Sequence, residues 1–259
     1  AGAAGPPAAA APAPVPVPAM ARAPGPGALQ LQVSVIPPRD GAHRCTLVYL
    51  HAMSYGTAPY LNQPQRYALD GVRLVLPRAP ELPVELYGGK AMLSWYSFSE
   101  GGGGVPEEGV DERGLAKVRG LLSQVLQREA HFLGEDGPGR LLVGGAAQGC
   151  SAALDVVMRH PVPVAGFVGV AGHALQCTPA DGPGRMGLHF FYGMQEDSAA
   201  SWHCSEQTLR RFREHHDVKV YGPFAGVGRF VPSEVEANWL HTFCRSAMSS
   251  LGSTRSPPA

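Results

Sequence analysis

The stretch Leu141–His160, LLVGGAAQGCSAALDVVMRH, decides how the rest of the chain is read. An apolar run of strand length meets a cluster of small residues, and a helical segment follows. Strand, tight glycine turn and helix make the frame of a nucleophile elbow, which holds a reactive side chain at the tip of a strained turn with glycines on either side. Gly145 and Gly149 have that spacing around Ala147. The tip residue is therefore an alanine, whose methyl has no lone pair with which to attack. A small residue at the tip is also what any tight strand-to-helix turn requires.

Outward from this stretch the chain alternates strands and helices. Leu29–Ile36 (LQLQVSVI) alternates in polarity and reads as an edge strand, whereas Cys45–Ala52 is a nearly continuous apolar run, as in a strand covered on both faces. Val72–Pro80 is a third strand, stopped by Pro77; Pro163–Gly172, Leu188–Gly193 and Val218–Phe224 supply further strands. Helices are expected over 111–133, 151–160, 205–213 and 232–248. The first carries Leu115, Val118, Leu121, Leu122, Val125 and Leu126 on one face. The last opens on Ser233 and Glu236 at capping-box spacing, with Val235, Trp239, Leu240 and Phe243 as its apolar face. This order predicts an α/β fold with a mostly parallel central sheet and helices on both faces.

Composition narrows the function classes. The 259 residues carry 21 basic and 21 acidic side chains, so the net charge is zero and no basic stripe recommends nucleic acid as a partner. Five scattered cysteines without a C-x-x-C pair argue against a zinc site or a secreted disulfide framework. No apolar run reaches the roughly 18 residues of a membrane span. No cofactor or metal is expected. Residues 1–28 are nearly all Ala, Pro and Gly, an extended tail that builds no core; Arg22 and the absence of acidic residues before Asp40 leave open a processed organellar N-terminus. The expected organisation is this tail, a domain over 29–250 and a short polar tail over 251–259.

In such a sheet the chemistry sits at the carboxyl ends of the strands. After Cys45–Ala52, the N–H of Met53 is a candidate donor to an oxyanion, against the alternative of an ordinary strand exit. After Leu188–Gly193, Glu196 and Asp197 are both available as the acid that would orient a histidine. After the last strand, Arg229 stands where a general base would serve, and a guanidinium stays protonated and accepts no proton. Cys150 and Ser151 follow the elbow but leave its tip. His215 and His216 precede a strand, whereas His173 ends one on the expected active side.

Taken in order, LVYLHAMSYGT, LVLPRAPELPVELYGGKAMLSWYSF, LLVGGAAQGCSAAL, HFFYGMQED and VKVYGPFAGVGRFVPSEV resemble the sequence blocks of the α/β-hydrolases, in the acyl-protein thioesterase and carboxylesterase/phospholipase branch. The resemblance runs from about Leu29 to Ser249. It implies an α/β-hydrolase fold, a nucleophile at Ala147, an acid at Glu196, a base at Arg229, and oxyanion donors at Met53 and Gln148. The first three positions depart from a working triad. Since triad members act as a unit, the expectation is a protein that is not an enzyme: a structural or accessory subunit of a larger assembly of other proteins, with a mitochondrial setting considered first and the cytoplasm second. The alternatives are a module binding a lipid, acyl group or anion in the old pocket, with Trp95, Met53 and Arg229 as lining, or a hydrolase using a displaced nucleophile such as Cys150 or Asp197.

Overall fold

Apolar strand sequences that alternate between two buried faces give a sheet with two cores, and both are present. The computed structural model describes residues 30–99, 109–161, 163–193, 206–224 and 233–253. The expected N-terminal tail, Glu196, Asp197 and Arg229 lie outside the described residues. Seven strands form the main sheet: β1 (Val33–Ile36), β2 (Cys45–Leu50), β3 (Val72–Pro77), β6 (Leu141–Ala146), β7 (Gly166–Val170), β8 (Gly187–Gly193) and β9 (Asp217–Phe224), in the order β1-β3-β2-β6-β7-β8-β9. Only β1 runs antiparallel to its neighbour. The fold class read from the sequence is thus the fold observed.

Three segments differ from the sequence reading. Between β3 and the first long helix, β4 (Glu81–Val84) and β5 (Lys90–Leu93) pair as an antiparallel hairpin. Half of its residues are exposed, so it lacks the continuous apolar run of the buried strands. Two four-residue helices, α1 (Ala58–Leu61) and α2 (Pro64–Tyr67), follow β2. They are too short for a periodic signal, although each has proline at its start. Of the helix expected over 205–213, residues 206–209 are α-helical, and Arg210–Phe212 tighten into a 3-10 turn.

The longer helices are α3 (Glu112–Phe132), α4 (Gln148–Met158) and α5 (Glu234–Ser253), the last extending past the boundary expected at residue 250. Alternation along β2 shows how the two cores are built. Val48 and Leu50 face Leu122 and Leu126 of α3 and the apolar residues of α4. Cys45, Leu47 and Tyr49 face Tyr60, Tyr67 and the α5 residues Leu240, Phe243 and Cys244. Each such fully buried leucine contributes about 1.5–3 kcal/mol relative to exposure.

The direction of α4 is fixed by charge as well as by packing. Asp155 is fully buried and accepts from Arg119 of α3 at 2.8 Å, from Arg159 one turn on at 3.1 Å, and from Thr178 at 3.1 Å. That three-way anchor ties the carboxyl-terminal half of α4 to α3 and to the Thr178 segment.

Candidate functional site

At the carboxyl end of β6, Ala147 adopts φ 49°, ψ −120°, a conformation that costs an L-residue on the order of 1–3 kcal/mol. Neighbouring contacts enforce it. The Ala147 N–H donates to Val170 O at 2.8 Å, and its carbonyl accepts Cys150 N–H at 2.9 Å. A Cβ on Gly145 would come within 2.5 Å of the Gly149 backbone, and one on Gly149 within 2.4 Å of Leu50 O. The glycines thus let β6, the first turn of α4 and the end of β2 approach one another.

Ala147 is not alone in this geometry. Among the described residues, the non-glycine positions with positive φ are Ser54 (69°), Ala147 (49°) and Ala171 (49°). They follow β2, β6 and β7, three adjacent strands, all at the carboxyl end. Backbone strain concentrated at one end of a sheet marks that end as the place where geometry is being imposed.

Two backbone donors are available there. Neither the N–H of Met53 nor that of Gln148 has an acceptor among the described residues. Gln148 opens α4, so the positive end of the helix dipole reinforces its N–H toward a developing negative charge. Both positions were expected from the sequence, and the register of β2 against β6, Leu50 opposite Gly145, brings their loops side by side.

A clamp that the sequence reading missed joins those loops. The Gln148 side chain is buried; its Oε1 accepts Trp95 N–H at 2.9 Å and lies 3.0 Å from Ser94 Oγ, while its Nε2 donates to Tyr96 O at 2.9 Å. Trp95 donates its indole N–H to His51 O at 2.8 Å. The His51 ring accepts Ala79 N–H on Nε2 at 3.0 Å and donates from Nδ1 to Ala52 O at 2.7 Å. Burial holds this imidazole below the usual histidine range, so it stays neutral with both nitrogens engaged. The elbow, the 94–96 segment and the β2 exit are therefore one hydrogen-bonded piece.

The other residues singled out from the sequence fall in different places. Trp95 is fully buried within the clamp and offers no ring face to solvent, while Met53 is half-buried at the β2 exit. Cys150 is fully buried between Gly169 and Gly172, and burial pushes its thiol far above the ordinary range, which leaves no thiolate to attack with. Ser151 gives its hydroxyl to His173 O at 2.8 Å. His216 lies at the opposite end of the sheet, before β9, with Nε2 2.9 Å from Ala180 O. Among the described residues no group of three His, Cys, Asp or Glu side chains is placed to hold a metal ion, and no helix is long and apolar enough to cross a membrane.

Against known proteins, the phospholipase/carboxylesterase family model matches residues 31–183. Acyl-protein thioesterase 1 of Yarrowia lipolytica is 29% identical over 142 residues, covering 52% of this chain and 60% of that protein. Acyl-protein thioesterase 1 of Mycosarcoma maydis is 32% identical over 148 residues, covering 53% and 61%. The chain thus spans about three fifths of the length of the curated relatives it matches. Among solved structures, esterase PE8 superposes with a TM-score of 0.64 at 17% identity, covering 85% of this chain and 100% of that one. Acyl-protein thioesterase 2 of Zea mays superposes at 0.58 and 19%, covering 82% and 98%; both likenesses speak to fold. The expectation that the chain is not an enzyme is corrected by this kinship, because the relatives that share its sequence are named thioesterases. The expectation rested on the side chains at Ala147, Glu196 and Arg229, of which only Ala147 lies among the described residues.

Proposed function

The chain belongs to the phospholipase/carboxylesterase family, and on that premise we propose that it acts on acyl thioesters or esters at the carboxyl end of β2 and β6. The carbonyl oxygen of the acyl group is held by the N–H groups of Met53 and Gln148. The observation that carries this reading is the strained elbow itself, kept at Ala147 with both neighbouring donors lacking an acceptor among the described residues. An alanine gains nothing from such a turn, whereas an oxyanion site needs it.

The attacking group is not residue 147, and burial removes Cys150 from consideration. Attack by water on a carbonyl polarised by two fixed N–H groups is what the described geometry supports. Oxyanion stabilisation and binding without a triad still accelerate acyl hydrolysis by about 10³ over water. Loss of one such donor typically costs about 10²–10³ in rate.

Hydrolysis of a short-chain acyl thioester and of nitrophenyl butyrate by the purified protein tests the reading. The wild type is expected to exceed the buffer rate, Met53→Pro to return it to near the buffer rate, and Cys150→Ala to leave it unchanged. A wild-type rate equal to buffer, or a rate abolished by Cys150→Ala, overturns it.

A further inference from the structure

On the other face of β2, far from the elbow turn in sequence, a carboxylate is buried with no cation paired to it among the described residues. Glu236 in the first turn of α5 accepts from Tyr49 Oη of β2 at 2.7 Å and from Tyr60 Oη of α1 at 3.3 Å, both on Oε1. Its Oε2 lies 3.4 Å from Tyr67 Oη of α2. Glu236 and the three tyrosines are all buried. The capping-box spacing is half realised: Ser233 Oγ accepts Glu236 N–H at 3.2 Å, but the carboxylate turns to the phenols.

Tyr67 Oη has a second acceptor at the same 3.4 Å, the carbonyl of Ser233. A phenol carries one proton and donates to one of the two at a time. Ser233 O also accepts Ala237 N–H at 3.0 Å, and its two lone pairs accommodate both donors.

We propose that Glu236, Tyr67 and the Ser233 carbonyl form a proton-driven hydrogen-bond switch that ties the first turn of α5 to α2 in two alternative ways. With Glu236 ionised, Tyr67 donates to Oε2. When a proton from solvent binds Oε2, the new carboxyl O–H donates to Tyr67 Oη, and Tyr67 turns its own proton to Ser233 O. Tyr49 and Tyr60 keep donating to Oε1 in both states.

The surroundings favour exchange near neutral pH. Burial pushes the Glu236 carboxyl up to about 7, with the phenols opposing that rise. No Lys, Arg or His pairs with the carboxylate among the described residues. From α2, Arg66 faces the Tyr67 phenol. His241, further along α5, directs Nε2 at Arg66 O, 3.0 Å away, and has Arg245, Arg39 and Asp70 as its charged neighbours. From α4, Cys150 faces Tyr49, and burial keeps its thiol protonated. None of these supplies a compensating positive charge to Glu236 itself.

Carbon-13 NMR of the full chain, labelled at the Glu carboxyl carbon and the Tyr ζ carbon, tests the switch. The Glu236 signal, assigned by its loss in Glu236→Gln, is expected to titrate with a midpoint near 7, and the Tyr67 signal to move with the same midpoint. In Glu236→Gln, whose amide N–H mimics the protonated carboxyl, Tyr67 is expected to stay at its low-pH position at every pH. A Glu236 midpoint below about 5, or a Tyr67 signal that does not follow it, overturns the proposal. Should Glu236→Gln fail to fold, the wild-type titration still decides, with Tyr67→Phe assigning the tyrosine signal.

Discussion

Two buried hydrogen-bond clusters hold this fold together on opposite faces of the sheet, and they are built from different chemistry. The clamp at the elbow joins His51, Trp95, Ser94 and Gln148 through amides, a hydroxyl, an indole and a neutral imidazole. The staple at α5 joins Tyr49, Tyr60 and Tyr67 through the one ionisable carboxylate of Glu236. The clamp fixes the donors of the proposed acyl site by a geometry that carries no charge in the neutral range. In the proposed switch, the staple makes the hydrogen bonding between α5 and α2 depend on a proton. The clamp is made of groups that stay uncharged near neutral pH, and the staple is centred on a carboxyl that exchanges its proton there.

The largest effect is expected at the clamp. Gln148→Ala leaves the buried Trp95 N–H without its acceptor, while Ser94 Oγ and Tyr96 O keep each other at 2.7 Å. At about 1–3 kcal/mol for the unsatisfied N–H, with the void left by the buried side chain adding to it, chemical denaturation is expected to show a loss of about 3 kcal/mol that is the same at pH 5 and pH 8. A pH-dependent loss breaks the contrast between the two clusters.

The staple is expected to show the complementary behaviour. A carboxyl whose folded pKa of about 7 exceeds its unfolded value of 4.5 binds more protons when folded. Its contribution to stability is therefore complete below pH 4.5 and declines as pH rises to about 7. Relative to Glu236→Gln, which has no such slope, the wild type is expected to lose on the order of 3 kcal/mol across that window and to run parallel above it. Denaturation at half-unit pH steps measures the difference, and a flat difference curve removes the switch.

Smaller changes sharpen the comparison. Ser94→Ala removes one hydroxyl from the clamp and is expected to cost about 1 kcal/mol at every pH. Tyr67→Phe removes only long hydrogen bonds, so its stability cost at pH 5 is expected to be below about 1 kcal/mol. Its signature lies elsewhere: with one donor to the carboxylate gone, the Glu236 midpoint is expected to move upward. A downward movement contradicts the assignment of Tyr67 as a donor to the ionised form.

How much of this could be read from the chain depended on whether the signal was local. The order of strands and helices follows from apolar runs of the right length, and the elbow from two glycines four residues apart. The hairpin of β4 and β5 was not legible, because Glu81, Pro83, Lys90 and Ala91 are exposed and the pair is closed by Gly88 and Gly89 at positive φ. Gln148 was recognised for its backbone N–H, but the partners of its side chain lie more than 50 positions away in sequence, where no spacing rule reaches. Glu236 was recognised as a capping residue, and its N–H does make that bond. Its carboxylate was drawn instead to three phenols brought together by β2, α1 and α2, an arrangement that exists only once those elements have packed.

The central claim is that the N–H groups of Met53 and Gln148 receive an acyl carbonyl, and amide NMR reads those two protons directly. Titration of the nitrogen-15-labelled protein with a non-hydrolysable ketone analogue of an acyl thioester is expected to shift both amide protons downfield along one saturable binding curve, with Gly149→Ala abolishing the response by forcing α4 away from β2. Saturable binding that leaves the Met53 and Gln148 amides unmoved, or no binding of the ketone at all, would contradict the account.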